Sequence, residues 1–275
     1  MPFADRGTHR LSYEALGRDY APSLLLVMGM GFSSRAWGPL PARLARAFRV
    51  VVFDNRGTGG STAPPGGFSI ADLADDAAAV LDAARAAPAA VFGVSMGGMI
   101  ALELALRHPE AVSALALGAT LAGWRGSAKA GPLAMGELLA GSLLSRAGAH
   151  RLVGRALVSA ATLRDDYARF AAWMENVGRG APALVARQAL AILRHDVTSR
   201  LGSLRVPTLV LTGDADRVVP AENSRRLAEA IPGARLVVFP GAGHGFPFER
   251  LEETAAALET FFGAAGRRSA RGRAE

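Results

Sequence analysis

The sequence predicts an α/β fold built on one mostly parallel sheet with helices on both faces. Two observations support this: six short apolar runs recur along the chain, and amphipathic helical segments separate most of them. Strands that are apolar throughout are typical of sheets covered on both faces. Strand and helix in alternation give the crossover connections of a layered α/β architecture.

The six apolar runs are the predicted strands. They lie at residues 23–29, 49–54, 89–95, 112–118, 207–213 and 234–240. Helices are predicted at about 34–47, 69–86, 96–107, 221–230 and 251–262. Ser69 is a candidate N-cap, since Asp72 follows three residues later near the positive end of the helix dipole.

The alternation stops between residues 121 and 205, where helical pieces rich in Ala, Leu and Arg occur without a good strand. This interruption predicts a helical cap over the carboxyl edge of the sheet. The predicted domains are therefore a core at 1–120 and 206–265 and a cap at 121–205. Residues 266–275, GRRSARGRAE, are expected to be a short disordered basic tail.

Composition restricts the class of protein. The 275 residues are 50% hydrophobic and 20% charged, as in soluble globular proteins, and the absence of cysteine excludes disulfides, thiolate metal sites and a cysteine nucleophile. The net charge of +7 comes almost entirely from scattered arginines, so nucleic-acid binding is not expected. With neither a signal-peptide core nor a bilayer-length apolar run, the expected location is cytoplasmic, without membrane association.

The segment GVSMG at residues 93–97 ends a predicted strand and opens a predicted helix. A tight turn there forces its central residue into unusual backbone angles, so side chains two positions away would collide, and Gly93 and Gly97 remove them. Ser95 is therefore a candidate nucleophile, placed where the free N–H groups of a helix N-terminus face an incoming negative charge. The alternative is a turn eased by glycine, in which Ser95 only caps the helix.

A serine nucleophile needs a base, and the chain has five histidines. His244 follows the last predicted strand in the glycine-rich segment PGAGHGF, which makes it the candidate base. The other four lie in the N-terminal segment, at a helix end or in the predicted cap: His9, His108, His150 and His195. The alternative for His244 is an ordinary loop histidine.

The base in turn needs a carboxylate that favours its protonated form in the transition state. Asp214 and Asp216 both follow the predicted strand at 207–213. Asp216 is the candidate acid, because it stands three residues past Gly213, far enough for the chain to turn back toward a neighbouring loop. Asp214 suits a structural role, accepting hydrogen bonds from N–H groups of the turn.

An oxyanion in such a site is held by backbone N–H groups. The candidate donors are Met96, next to the nucleophile, and Met30, in the loop after the first predicted strand. Gly29 and Gly31 flank Met30 and let that backbone approach the site closely. Removing one such donor costs about 10²–10³ in rate.

Together these segments resemble the α/β-hydrolase fold superfamily over about residues 8–262. The resemblance rests on the loop at 29–31, on FDNRGTGGS, on the GVSMGG turn, on PTLVLTGDAD and on PGAGHG. It implies a hydrolase with a Ser-His-Asp triad in the chain order Ser95, Asp216, His244, and a helical cap between the sixth and seventh strands. Within the superfamily the chain is similar to small esterases, enol-lactonases and cofactor-free haloperoxidase-like proteins.

Two positions depart from patterns within the superfamily. Many relatives carry histidine before the oxyanion glycine, where this chain has Met28. Because the donor is a backbone group, function is expected to survive with a loop of different rigidity. Relatives that cleave epoxides or carbon–halogen bonds have aspartate at the nucleophile position, so Ser95 argues against both chemistries.

The expected reaction is hydrolysis of a small-molecule carboxylic ester or lactone through an acyl-enzyme, without cofactor. No metal is expected, since no histidine pair has the helical spacing of metal ligands. The alternatives among enzymes are hydrolysis of a carbon–carbon bond, as in a β-diketone, and a non-hydrolytic step of secondary metabolism. The alternative outside enzymes is a ligand-binding protein that retains the fold.

Three residues of the predicted cap are candidate substrate-binding residues: Trp124, Trp173 and Met174. They favour an apolar or aromatic acyl or alcohol group. Their alternative role is packing within the cap itself. The sequence leaves the substrate's identity and the oligomeric state open, and it is compatible with a homo-oligomer.

Overall fold

A computed structural model describes residues 1–143, 146–178 and 180–271 of the protein, and its β-strands are numbered in chain order. They are β1 (Phe3–Asp5), β2 (Arg10–Leu16), β3 (Ser23–Val27), β4 (Arg49–Phe53), β5 (Ala89–Val94), β6 (Val112–Gly118), β7 (Thr208–Gly213) and β8 (Arg235–Phe239). In the described part of the chain they form one sheet in the order β1-β2-β4-β3-β5-β6-β7-β8. β1–β2 and β2–β4 pair antiparallel, and all the other neighbours pair parallel.

The α-helices are α1 (Leu40–Leu44), α2 (Ile70–Ala83), α3 (Met96–Arg107), α4 (Pro132–Leu143), α5 (Arg146–Leu157), α6 (Ala160–Asp165), α7 (Tyr167–Asn176), α8 (Pro182–Arg194), α9 (Ala221–Ala230), α10 (Phe246–Glu249) and α11 (Leu251–Arg271). Short 3₁₀ helices occupy Ser34–Trp37, Pro109–Ala111 and Thr198–Ser203. Within the described ranges, none of the helices combines the length and apolar composition needed to cross a bilayer.

The predicted parallel sheet is confirmed, and each of the six predicted strands corresponds to one of β3–β8. The N-terminal pair β1–β2 was not predicted, because β1 has only three residues and neither strand has a continuous apolar run. The segment joining them is mostly exposed but contacts α2. His9 is buried there, with its Nε2 at 3.0 Å from Asp76 Oδ1 on α2, and Arg56 binds the other oxygen of Asp76 at 2.6 Å.

Two predicted helices differ from the structure. The helix expected at 34–47 is split into the 3₁₀ turn and α1, because Gly38 takes a φ of +55° and Pro39 lacks the N–H that a continuous helix needs. The helix expected at 251–262 continues as α11 to Arg271. The expected disordered tail at 266–275 thus begins inside this helix, and residues 272–275 lie outside the described part of the chain.

The start of α2 confirms the predicted N-cap. Ser69 Oγ accepts from the Asp72 N–H at 3.1 Å, and Asp72 Oδ2 accepts from the Ser69 N–H at 2.7 Å. This reciprocal capping box satisfies two N–H groups that the helix leaves free, and such caps stabilise by about 1 kcal/mol.

The core consists of two apolar layers, one on each face of the sheet. Alternate residues of a strand point to opposite layers: Val91 of β5 packs with α2 and α3, whereas Phe92 packs in the second layer with α1 and α11. Both faces are therefore covered, which accounts for the uninterrupted apolar strands.

The segment between β6 and β7 contains α4–α8, which we call the cap helices. They are hydrogen-bonded to the loop after β3: the Ser33 N–H donates to Gly178 O at 3.0 Å, and Trp173 Nε1 donates to Ala36 O at 2.9 Å. The carboxyl ends of β3, β5, β7 and β8 meet at one edge of the sheet, beneath these helices. Their following loops carry the predicted oxyanion, nucleophile, acid and base positions.

Candidate active site

Ser95 occupies the turn between β5 and α3 with a φ of +59°, a left-handed conformation that is unfavourable for a residue with a Cβ. Such strain costs about 1–3 kcal/mol and persists only where surrounding contacts enforce it. Here the Ser95 N–H donates to Gly118 O at 2.9 Å, and Thr120 Oγ1 donates to Ser95 O at 2.7 Å. Sequence reasoning missed the buried Thr120, which no motif distinguishes from other threonines.

The two glycines beside Ser95 have no room for a side chain. A Cβ on Gly93 would lie 2.1 Å from Gly97 O, and a Cβ on Gly97 would lie 2.0 Å from Val27 O. Both neighbouring atoms are backbone, so neither can move aside. The turn therefore has space only for glycine at both positions, as the sequence predicted.

His244 and Asp216 form a buried pair. His244 Nδ1 lies 2.8 Å from Asp216 Oδ2, and Asp216 is only 6% exposed. The other carboxylate oxygen, Oδ1, accepts from the N–H groups of Val218 and Val219, each at 2.8 Å. Three hydrogen bonds therefore fix the carboxylate, which in turn orients the imidazole.

Asp214 is placed differently. It is exposed, and its Oδ1 accepts from the Gly241 N–H at 2.6 Å, which joins the loops that follow β7 and β8. The structure thus gives Asp214 the turn-holding contact expected of it and brings Asp216, not Asp214, to the imidazole.

Glu249 supports the loop that carries His244. Its Oε2 accepts from the Gly243 N–H at 2.6 Å, while its Oε1 accepts from the Ser159 N–H at 2.8 Å and from Thr162 Oγ1 at 2.6 Å. One carboxylate therefore joins the residue before His244 to the start of α6 in the cap helices. Sequence reasoning did not identify Glu249, and no motif distinguishes it from the acidic residues that follow it.

The loop after β3 lies against the nucleophile. A Cβ on Gly29 would lie 3.2 Å from Ser95 Cβ, so glycine permits the close approach that was expected. Asn55 Nδ2 donates to Met28 O at 2.8 Å and fixes the start of this loop. Met96 begins α3, where helix N–H groups lack partners within the helix.

Ser95, His244 and Met30 line one cavity of about 150 Å³ at the carboxyl edge of the sheet. Its described walls are almost entirely apolar, with the larger side chains being Phe32, Trp37, Leu157, Trp173, Val218 and Phe248. Trp173 stacks on Phe248 with ring centroids 4.9 Å apart. The edge therefore holds an apolar pocket whose lining includes Ser95 and His244.

The candidate substrate-binding residues are separated by the structure. Trp173 lines the cavity, whereas Trp124 and Met174 are not among the described residues that line it. Trp124 lies in the loop after β6, with Lys129 Nζ 4.2 Å from its ring centroid. Met174 is buried against Val153 and Phe170, which is the packing role that the sequence left open.

His195 is a buried histidine away from this cavity. It is 6% exposed, its Nε2 has no hydrogen-bond partner in the described part of the chain, and its Nδ1 lies 3.9 Å from Glu103 Oε1. That carboxylate oxygen is bound by Arg200 at 2.6 Å. Burial lowers the pKa of His195 from 6.5 to about 4, because the charged form loses hydration that Glu103 does not replace.

This pKa predicts a loss of stability in mild acid. Unfolded chains bind a proton at His195 near pH 6.5 and folded chains only near 4, so the stabilisation is complete above pH 6.5 and lost as the pH falls to 4. A shift of this size corresponds to about 3 kcal/mol. Urea unfolding at pH 7.5, 6 and 4.5 should give wild type a steeper loss than His195→Gln. Parallel pH dependence in the two proteins would contradict this assignment.

No metal-binding cluster occurs in the described ranges, where no group of three or more His, Asp or Glu side chains could surround an ion.

Residues 22–251 match the alpha/beta hydrolase fold family, a range that includes β3–β8 and the positions of Ser95, Asp216 and His244. A putative carbamate hydrolase RutD from Klebsiella pneumoniae is 34% identical over 241 residues, covering 82% of this chain and 85% of the relative. A putative non-heme bromoperoxidase BpoC from Mycobacterium tuberculosis is 34% identical over 260 residues, covering 87% and 93%.

The chain is also similar to solved structures of hydrolases. The enol-lactonase from Burkholderia xenovorans LB400 has a TM-score of 0.83 and 27% identity, covering 95% of this chain and 99% of that one. The esterase RhEst1 from Rhodococcus sp. ECU1013 has a TM-score of 0.79 and 26% identity, covering 94% and 96%. The chain therefore belongs to the alpha/beta hydrolase fold family and is a hydrolase.

Proposed function

We propose that this hydrolase cleaves a carboxylic ester or lactone through an acyl-enzyme formed on Ser95. The observation that carries the proposal is the strained Ser95 turn opening into the same cavity as His244, whose Nδ1 is held by Asp216 at 2.8 Å. A serine in a costly backbone conformation and a histidine with a fixed ring suit nucleophilic catalysis better than a structural turn.

In the first half-reaction, Ser95 Oγ attacks the substrate carbonyl and its proton passes to His244 Nε2. The carbonyl oxygen becomes an oxyanion, which the N–H groups of Met30 and Met96 stabilise. His244 then protonates the leaving alcohol, or the ring oxygen of a lactone, as the carbon–oxygen bond breaks. Asp216 favours the imidazolium during both proton transfers.

In the second half-reaction, water attacks the acyl-enzyme while His244 accepts a proton from it. Collapse of the second tetrahedral intermediate releases the carboxylic acid, and the proton returns to Ser95 Oγ. Water is consumed once, and no redox step or cofactor is required.

The cavity supports a small apolar acyl group. Apolar cavities of roughly 150 Å³ accommodate benzene, so a group of about six carbon atoms fits the space beside Ser95. The family includes proteins named esterase and enol-lactonase, which agrees with this chemistry. The alternative reaction, hydrolysis of a carbon–carbon bond, is not specifically favoured by any described residue of the site.

A fluorophosphonate probe tests the proposal directly, because it phosphonylates a serine that is activated by a neighbouring base. We expect the labelled peptide, identified by mass spectrometry, to contain Ser95. Turnover of 4-nitrophenyl butyrate, a six-membered lactone and a β-diketone should then rank the ester or the lactone first. An unlabelled Ser95, or cleavage of the diketone alone, would contradict the proposal.

A further inference from the structure

Gln188 lies on α8 of the cap helices and is completely buried. Its Oε1 accepts from the Gly31 N–H at 2.8 Å, in the loop after β3. Its Nε2 is also buried and has no partner among the described residues. A buried, unpaired amide nitrogen loses its hydration without compensation, so this side chain carries a cost that its single hydrogen bond to Gly31 must offset.

The residue that Gln188 contacts is held from two sides. The Gly31 N–H is bound by Gln188, while Gly31 O accepts from the Gly180 N–H at 2.9 Å. Gly31 has a φ of +78°, and Val185 Cγ2 lies 3.4 Å from where its Cβ would be. The cap helices and the segment leading to α8 therefore hold both of the peptide groups that flank the Gly31 Cα.

Gly31 follows Met30, the proposed oxyanion donor. On the other side of Met30, Gly29 is pressed against Ser95, and Asn55 binds Met28 O at 2.8 Å. With the chain fixed before and after Met30, the direction of the Met30 N–H has little freedom. A misdirected donor loses strength steeply with angle, so this restraint bears on transition-state stabilisation.

We propose that Gln188 is a positioning residue, which holds the Met30 N–H toward the oxyanion by fixing Gly31. This inference rests on the proposed function of the same site. It supplies a reason for retaining a buried glutamine whose nitrogen is unpaired. It also assigns to the cap helices the stiffening of a loop that has Met28 where many relatives carry histidine.

Gln188→Met tests this, since methionine matches the length of glutamine and its sulfur is a far weaker acceptor for the Gly31 N–H than an amide oxygen. We expect kcat for 4-nitrophenyl butyrate to fall about 10- to 100-fold with KM nearly unchanged, somewhat less than the loss of a whole donor. Gln188→Glu keeps an oxygen acceptor and should recover most of kcat. Gln188→Met removes the unpaired nitrogen but also leaves the Gly31 N–H without its acceptor, so its Tm should stay close to that of wild type.

A trifluoromethyl ketone gives a readout that a purely structural role would not change. Ser95 Oγ adds to its carbonyl, the serine proton passes to His244, and the resulting oxyanion lies against the Met30 N–H. Its affinity for Gln188→Met should fall by the same factor as kcat/KM, while butyrate, a ground-state product, should bind as in wild type.

Arg187→Met is the matched control, since Arg187 on the same helix binds Pro64 O at 2.7 Å and does not contact Gly31 in the described hydrogen bonds. It should keep kcat within about twofold. Equal losses in the two variants, or wild-type kcat in Gln188→Met, would overturn the positioning role. Failure of wild type to label or turn over would overturn the proposed function as well, so the two failures are distinguishable.

Discussion

Ser95→Ala is expected to lower ester turnover by about 10⁶-fold, the loss found when the nucleophile of a serine hydrolase is removed. Activity left above that of buffer would come from the oxyanion donors and from binding. The measurement is kcat for 4-nitrophenyl butyrate, with product formation followed over hours so that the residual activity can be quantified. The physical reason is that no acyl-enzyme forms without Ser95 Oγ, whatever the state of His244.

A second substitution separates catalysis from folding at this position. Ser95 has a φ of +59°, so Ser95→Gly relieves the backbone strain and should raise the free energy of unfolding by about 1 kcal/mol. Ser95→Ala retains the Cβ and should keep the Tm of wild type. A variant that is inactive and more stable marks the strain as a cost of function. Wild-type turnover in either variant would exclude Ser95 as the nucleophile.

Asp216→Asn is expected to lower kcat by about 10⁴-fold, the effect of exchanging the orienting carboxylate for an amide. The N–H groups of Val218 and Val219 both donate to Oδ1, so the asparagine oxygen must take that position. Its NH₂ group then faces His244 Nδ1, which can only accept. The remaining ring proton sits on Nε2, and the ring cannot receive a proton from Ser95.

Asp214→Asn is the matched control for this change. Asp214 is exposed and accepts only one described hydrogen bond, from the Gly241 N–H, which an asparagine oxygen can also accept. We expect kcat within about twofold of wild type, as for most surface substitutions. Steady-state kinetics of the two variants, measured side by side, checks that Asp216 is the acid that orients His244. Equal losses of kcat would leave that acid unassigned.

Much of the fold could be predicted from local pattern. The apolar runs gave β3–β8, because strands covered on both faces carry an uninterrupted apolar signal. β1 and β2 were missed because β1 has only three residues and because polar side chains interrupt the apolar pattern of β2. The break at Gly38 was visible in the sequence but was outweighed by the helical pattern around it.

The residues of the candidate site likewise fall into those that a local sequence pattern marks and those that it does not. Ser95, His244 and Asp216 could be located because strand ends and glycine spacing mark them, and the parallel register brings those ends to one edge. Gln188 and Glu249 could not, because each makes a hydrogen bond to backbone far away in the chain, at Gly31 and at Ser159. Gly31 and Gln188 are separated by 157 positions, and no local pattern encodes that pairing.

Hydrogen bonds join the cap helices to the loop after β3 and, through Glu249, to the loop after β8. These bonds limit which changes could give the enzyme a new substrate selectivity. Exchanging residues 121–205 for the corresponding segment of another hydrolase would remove the partners of Gly31 and Glu249 together with part of the pocket wall. Such a chimera should lose rate on every substrate, old and new. Single replacements at wall positions such as Leu157 and Val218 leave those partners in place, so they are the route by which selectivity can change while turnover is kept.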